Sequence, residues 1–243
     1  MRLLLIGTWV SCARGPSTPP EGASSPPPPT EVAPTRPEAC PMLDFPPHIS
    51  AAREAVLRND SAVLRRELGW MAAAPGLPVG LRPPVTPEEA AAASPEESDE
   101  SRAAAVFLGE LGMRCGACHQ GAGPKFPEVP RPVSAVGVAP HMQRNLWTLD
   151  RMWEGLLGPS DARWSDGVAL LAGADLDPAL FAGREAGQQS PAGDLAPWLK
   201  KIGETALQTP DLEARARLYG DLLATCAECH QGSVGAPSPQ RPL

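Results

Sequence analysis

Aromatic residues, β-branched segments and clusters of positive charge are all scarce in this sequence. Aromatics make up 5% of the 243 residues. Alanine and leucine are common and few segments are rich in β-branched residues, so the composition favours helices over strands. The net charge is −7, and no block of lysine and arginine is present that could neutralise a row of phosphates. We therefore predict an all-α protein that does not bind nucleic acid.

The apolar run at the start of the chain is short. Leu3 to Val10 follow the positive residue Arg2 and lead to Cys12, a pattern that resembles a bacterial lipoprotein signal. The run is too short to span a bilayer as a permanent helix. The resemblance implies export to the periplasm, with residues 1–12 as the signal and a lipid on Cys12 as the membrane anchor. An ordinary export signal or a misassigned start codon is the alternative.

Proline, in contrast, is abundant, with 31 residues in the chain. Residues 13–41 are rich in proline and cannot bury enough apolar surface to fold, so they are predicted to be a disordered tether. Residues 124–139 have the composition of a linker, and residues 234–243 that of a disordered tail. Cys40, at the end of the tether, is expected to be an isolated thiol.

Two units related by a repeat occupy the rest of the chain, at residues 42–123 and 140–233. Each unit closes on the same pattern, Cys-x-x-Cys-His-Gln-Gly, which begins at Cys115 and at Cys226. Sequences such as Thr209-Pro210-Asp211 are typical helix starts, and apolar stripes at three- and four-residue spacing predict about four helices in each unit. The expected architecture is two small helical bundles in tandem.

The closing pattern of each unit has the spacing needed for covalent attachment of haem. Cysteines at i and i+3 lie on one face of a helical turn and can form thioethers to the two vinyl groups, while histidine at i+4 faces the iron. A zinc site would need its CxxC halves about 15–20 residues apart, and a thioredoxin-like redox pair would need a βαβ setting. The sequence therefore predicts two covalent haem c groups, held by Cys115, Cys118 and His119 in the first unit and by Cys226, Cys229 and His230 in the second.

The place of these motifs narrows the resemblance. In the common small cytochromes c the motif lies near the N-terminus and a methionine ligand follows it, whereas only thirteen residues, none of them methionine, follow His230. Attachment at the end of the last helix resembles the cytochrome c-prime group, in which residues of the first helix line the distal face of the haem. The resemblance covers each unit in outline, through motif position and helix number.

The sixth ligand of each iron stays open. His48 and His141, one in each unit near the start of its first helix, are candidate distal ligands, with a solvated histidine as the alternative. Met142 is the rival in the second unit, because it lies on the apolar stripe of its helix and His141 lies about 100° away. The residue after His48 is Ile49, which cannot bind iron, so the two haems need not share one coordination.

These features predict an exported dihaem c-type cytochrome that transfers electrons between redox partner proteins, for which the acidic chain suits a partner with a basic docking face. The sequence favours such an electron carrier over an enzyme and leaves the choice open. The alternatives are a gas-binding or sensing protein of the c-prime type, which requires a vacant or displaceable sixth position, and, ranked last, a dihaem peroxidase. The sequence indicates no oligomeric state, and a membrane contact only through the anchor.

Overall fold

The computed structural model describes residues 44–74, 83, 97–121, 124–133, 137–173 and 191–231. The predicted signal with Cys12, the predicted tether, Cys40 and the predicted tail lie outside these ranges. Within them the regular elements are all helices and no strand occurs, which confirms the all-α prediction. None of the described helices combines the length and the apolar character needed to cross a bilayer.

Seven helices make up the described part of the chain. In chain order they are α1 (Phe45–Arg58), α2 (Ser61–Ala73), α3 (Glu97–His119), α4 (Val138–Leu157), α5 (Asp161–Ala172), α6 (Pro191–Leu207) and α7 (Leu212–Gln231). The first CxxCH motif ends α3, and the second lies at the end of α7.

Side-chain caps fix the starts of three helices. Asp60 accepts a hydrogen bond from the amide of Val63 at 3.0 Å, and Ser160 accepts one from the amide of Arg163 at 3.3 Å. These two caps begin α2 and α5 at the same place in each unit, because both follow the first helix after a short turn. Asp211 caps α7 in the same way, two residues after Thr209, the hydroxyl that the Thr-Pro-Asp pattern predicts as the cap; Thr209 instead donates to the carbonyl oxygen of Thr205 in the preceding helix.

The two motif-bearing helices, α3 and α7, cross in antiparallel directions. A Cβ added to Gly109 would lie 2.2 Å from the carbonyl oxygen of Ala216, and one added to Gly220 would lie 3.1 Å from that of Ala105. Arg102, near the start of α3, pairs with Glu228, near the end of α7, at 3.1 Å. The two CxxCH motifs therefore lie at opposite ends of the molecule.

This crossing has an approximate two-fold symmetry. Gly109 and Gly220 each stand six residues before the first cysteine of their motif, and Ala105 and Ala216 each stand ten residues before it. Residues at the same position in the two units are called counterparts below. Gly109 contacts Ala216, and Gly220 contacts Ala105. The two contacts are therefore equivalent under the two-fold symmetry, which is the pattern of an isologous interface.

The first helix of each unit runs beside the motif helix of the other unit. In α4, Trp153 packs on Gly112, and the carbonyl oxygen of Leu156 would lie 2.0 Å from a Cβ on Gly116, so α4 follows α3 in the same direction. In α1, the guanidinium of Arg53 lies 5.8 Å from the ring centre of Tyr219 of α7. Buried apolar side chains from all seven helices form one cluster. Whether each unit also forms a bundle of its own stays a prediction.

Candidate functional site

Each CxxCH motif turns its first cysteine inward and leaves its second nearer the surface. Cys115 and Cys226 are buried, whereas Cys118 is exposed and Cys229 is half-buried. None of these four cysteines forms a disulfide. This placement follows from the helical spacing, because a residue three positions further along lies about 60° around the helix.

The motif histidines make main-chain hydrogen bonds that cross between the units. Nδ1 of His119 donates to the carbonyl oxygen of Leu157 at 3.2 Å, and Nδ1 of His230 donates to that of Leu57. Leu57 and Leu157 are counterparts, each three residues before the cap of the following helix. Each histidine thus contacts the last turn of the other unit's first helix.

These bonds fix the tautomer of both rings. A carbonyl oxygen only accepts hydrogen bonds, so Nδ1 of His119 and of His230 must carry the proton. In a neutral ring Nε2 then carries no proton and has a lone pair, and an imidazole nitrogen in this form can bind a metal ion. A hydrogen bond from the other ring nitrogen also orients a ligating histidine and raises its basicity.

Burial raises the pKa of the inner thiols. The pKa of Cys115 rises to about 11 because of burial and the neighbouring Cys118, and the pKa of Cys226 rises to about 12 because of burial and Cys229. Burial also raises the pKa of Cys229. A reactive or redox-active thiol needs the opposite shift, so these pairs do not resemble activated nucleophiles.

The surroundings of the first motif include part of the predicted linker. Pro124 and Phe126 lie against Gly158, where an added Cβ would approach the Phe126 ring to 2.7 Å. Glu128 pairs with Arg163 at the start of α5. The extended chain after the first motif therefore packs over the end of α4, next to the carbonyl that binds His119.

A buried ionic cluster lies one turn before Leu157. Glu154 pairs with Arg151 and, at 3.5 Å, with Arg163, while Asp150 and Glu128 add negative charge nearby. Burial raises the pKa of Glu154 to about 7, although the two arginines oppose the shift. Its counterpart is Glu54.

His48, a candidate distal ligand, is held by neighbours from α2. Its Nδ1 lies 2.6 Å from a carboxylate oxygen of Glu67, and its ring stacks on Trp70 with centres 3.5 Å apart. Because a carboxylate only accepts hydrogen bonds, Nδ1 of His48 carries a proton. The hydrogen bond to His48 and the neighbouring Arg66 lower the pKa of Glu67 against the effect of burial.

His141, the other candidate, lies in the first turn of α4 and is 2% exposed. The amide of Asn145 donates to its Nε2 at 3.0 Å. Burial, helped by Arg144, lowers the pKa of His141 to about 4, so the ring is neutral at physiological pH. Met142 is half-buried, so the expectation that Met142 rather than His141 faces the core is wrong.

The helix directions place these residues along the molecule. The rings of Trp153 in α4 and Tyr219 in α7 are 5.7 Å apart. His141 lies twelve residues before Trp153, and His230 lies eleven residues after Tyr219. Since α4 and α7 are antiparallel, His141 and His230 are at the same end and at nearly the same level.

His48 stands differently in the first unit. Ser101 donates to the side chain of Asn59 at 2.8 Å, which sets the start of α3 level with the end of α1. His48 lies eleven residues before Asn59, and Gly112 lies eleven residues after Ser101. Because α1 and α3 run in opposite directions, His48 is level with Gly112. His48 therefore stops about 10 Å short of His119 along the helix axis.

The residues that position the motif histidines were not predicted from the sequence. A main-chain carbonyl has no side-chain signature, so only the repeated spacing of Leu57 and Leu157 before the caps could have indicated it. Glu67 and Asn145 gave no signal either, because their partners are fixed by packing. Within the described part of the chain, no three or more His, Cys, Asp and Glu side chains are grouped to hold a metal ion by themselves.

Comparison of the chain with protein-family models, with curated proteins and with solved structures finds no match.

Proposed function

We propose that the chain is a dihaem c-type cytochrome that transfers electrons. The observation that carries the proposal is the pair of hydrogen bonds from Nδ1 of His119 and of His230 to main-chain carbonyl oxygens. Both bonds leave Nε2 of a CxxCH histidine as a lone pair, as an iron ligand requires. That the same bond occurs at counterpart positions of two motifs makes a chance contact a poor explanation.

The residues present fit two haem c groups. Two pairs of thiols that are not in disulfides lie on one face of a helical turn, Cys115 with Cys118 and Cys226 with Cys229. In thioether formation the thiol adds across a vinyl double bond, so a carbon–sulfur bond forms and the thiol hydrogen passes to the vinyl group. When bound, haem supplies one-electron chemistry at its iron.

Transfer to a partner protein is favoured by where the motifs lie. Cys118 is exposed and Cys229 is half-buried, so both attachment points are close to the surface. The raised pKa values of Cys115 and Cys226 argue against a thiolate mechanism as the alternative use of the same residues. A one-electron carrier needs only a held cofactor near the surface, and no acid–base pair.

Haem counting after export with a haem-attachment system tests the proposal. We expect two haems per chain for the wild type, and one for Cys115→Ala/Cys118→Ala or for Cys226→Ala/Cys229→Ala. The haems should withstand denaturation and acid–acetone extraction, and should be reduced and reoxidised reversibly by small mediators. Retention of zinc in place of haem, or loss of all haem on denaturation, would contradict the proposal.

A gas-binding protein is the second candidate, and the position of His48 favours it. At the first site His48 lies about two helical turns short of the level of His119, so it is poorly placed to be the sixth ligand there. Carbon monoxide binding to the reduced variant Cys226→Ala/Cys229→Ala, whose single haem is the first, distinguishes the candidates. A low-spin spectrum that carbon monoxide does not change would exclude gas binding at this site.

A further inference from the structure

We propose that each iron-ligating histidine is positioned by the other half of the chain, so that each haem site is built from both units. This inference rests on the proposed function. The carbonyl of Leu157 in the second unit orients His119 of the first, and the carbonyl of Leu57 in the first unit orients His230 of the second.

The packing around the two bonds supports the crossed arrangement. Gly116, inside the first motif, has its Cα against the carbonyl of Leu156, so α3 and α4 are in backbone contact at this point. At the other end, the guanidinium of Arg53 of α1 lies 5.8 Å from the Tyr219 ring of α7. Each motif histidine thus makes its hydrogen bond to a main-chain oxygen of a helix that packs against its own helix.

At the second motif the same unit also contributes. Since α4 begins at the end of the molecule where α7 ends, the start of α4 and the end of α1 both lie there, whereas in the first unit His48 lies about 10 Å short of His119. A single unit expressed alone therefore lacks the carbonyl that orients its histidine. We expect such a half-chain to lose this orientation even where its motif is intact.

A pair of counterpart substitutions tests the crossing. Proline at a position disfavours the helical conformation of the preceding residue, so Arg58→Pro displaces the carbonyl of Leu57 and Gly158→Pro that of Leu157. Each is combined with the two single-haem variants, Cys115→Ala/Cys118→Ala and Cys226→Ala/Cys229→Ala. Reduction potential and EPR spectrum are measured for each remaining haem.

The crossed arrangement predicts a double dissociation. Arg58→Pro should raise the potential of the haem on His230 and leave that on His119 unchanged, because a ligand that loses its Nδ1–H acceptor donates less electron density to ferric iron. Gly158→Pro should do the reverse. An effect of each proline only on the haem of its own unit, or on neither haem, overturns the proposal.

Two further measurements control the test. Milder variants show whether an effect comes from unfolding, and the apo chain shows the hydrogen bonds without haem. Gly158→Ala and Asn59→Ala disturb the same two helix ends less, and far-UV circular dichroism identifies any variant that unfolds. In the apo chain, long-range ¹H–¹⁵N spectra should show the Nδ1–H tautomer at both motif histidines, lost at His230 in Arg58→Pro and at His119 in Gly158→Pro. Nε2–H tautomers in the wild-type apo chain contradict the crossed bonds, whereas absence of haem from the matured protein contradicts only the proposed function.

Discussion

Glu154 shows how one buried carboxyl differs from its exposed counterpart. It is enclosed by Arg151, Arg163, Asp150 and Glu128, and burial raises its pKa to about 7. Glu54, the counterpart, pairs with Arg58 on the surface, where its side chain is 39% exposed. The two residues share a position in the repeat but not an environment.

This difference predicts a pH dependence of stability that belongs to Glu154. Between pH 4.5 and 7 the folded chain keeps a proton that the unfolded chain releases, so stability falls as pH rises through this window. Relative to Glu154→Gln, the wild type should lose on the order of 3 kcal/mol across it, since each pKa unit corresponds to about 1.4 kcal/mol and the value of about 7 already includes the opposing arginines. Urea unfolding at several pH values measures the difference.

Glu54→Gln is the matched control for this prediction. The Glu54 side chain pairs with Arg58 on the surface and lacks the burial of Glu154, so this variant removes the same type of charge without the buried environment. His141, whose lowered pKa acts in the opposite direction, is common to the wild type and both variants and cancels in the comparison. If Glu154→Gln and the wild type have parallel stability profiles, Glu154 titrates normally and the burial argument is wrong.

The two candidate distal histidines are expected to behave differently. His141 is level with His230 and stays neutral because of its lowered pKa, so His141→Ala should convert the second haem to a high-spin spectrum. His48→Ala should leave the spectrum of the first haem unchanged, since His48 lies about two turns short of His119.

Met142→Leu separates the rival ligand from His141. Optical and EPR spectra of the variant with only the second haem decide between them. If Met142→Leu removes a far-red charge-transfer band and His141→Ala changes nothing, methionine is the ligand. If neither substitution alters the spectrum, the sixth position at this site is filled by another residue or by none.

The crossing of α3 and α7 depends on two glycines at counterpart positions. A Cβ on Gly109 would lie 2.2 Å from a main-chain oxygen of α7, a contact that no side-chain motion can relieve. Gly109→Ala should therefore force the helices apart and cost about 2–3 kcal/mol of unfolding free energy. Thermal and urea denaturation of the apo chain measure this cost.

Gly69→Ala provides the matched control in another helix. Gly69 lies in α2, and an added Cβ there meets no atom within 4 Å. Alanine has the higher helix propensity, so this variant should gain about 0.5–1 kcal/mol. Equal effects of the two substitutions would show that helix propensity, and not the close approach of α3 and α7, decides the result.

Local signals predicted the elements well, and distant contacts could not be predicted. The turn before Ser160 places one helix start where the structure has it, and the Thr209-Pro210-Asp211 sequence places another within two residues, because capping depends on neighbours in sequence. The spacing of Gly109, Gly112 and Gly116 along α3 was a signal for close packing that was not used. Which helix packs on these glycines depends on the tertiary structure of the whole chain, and the burial of His141 depends on it in the same way.

At the scale of the whole molecule, the antiparallel crossing separates the two motifs. Phe107 and Leu218, which lie eight residues before the first cysteines, are at the centre of the crossing. Each motif histidine lies twelve residues beyond this point, in opposite directions. At about 1.5 Å per residue the histidines are roughly 35 Å apart.

This separation bears on how two haems would work together. Electron transfer through protein slows steeply with distance, so two irons this far apart exchange electrons directly far more slowly than each does with a docked partner. On the proposed function, each end of the molecule would act as a separate site, and a partner docked at one end would leave the other end accessible. Reduction of the chain should show two independent one-electron steps without strong interaction.

A distance measurement on the apo chain tests the arrangement without relying on haem. Spin labels on Cys118 and Cys229, with the other four cysteines replaced by serine, lie eleven residues beyond the centre of the crossing on each side. Pulsed EPR should give a distance on the order of 30–40 Å. Moving the first label from Cys118 to the exposed Ala103, near the start of α3, with Ala103→Cys and Cys118→Ser, should shorten the distance markedly, because α3 starts where α7 ends. A short distance between Cys118 and Cys229 would instead place both motifs at one end of the molecule. That result would contradict the antiparallel helices, the crossed hydrogen bonds and the independence of the two sites.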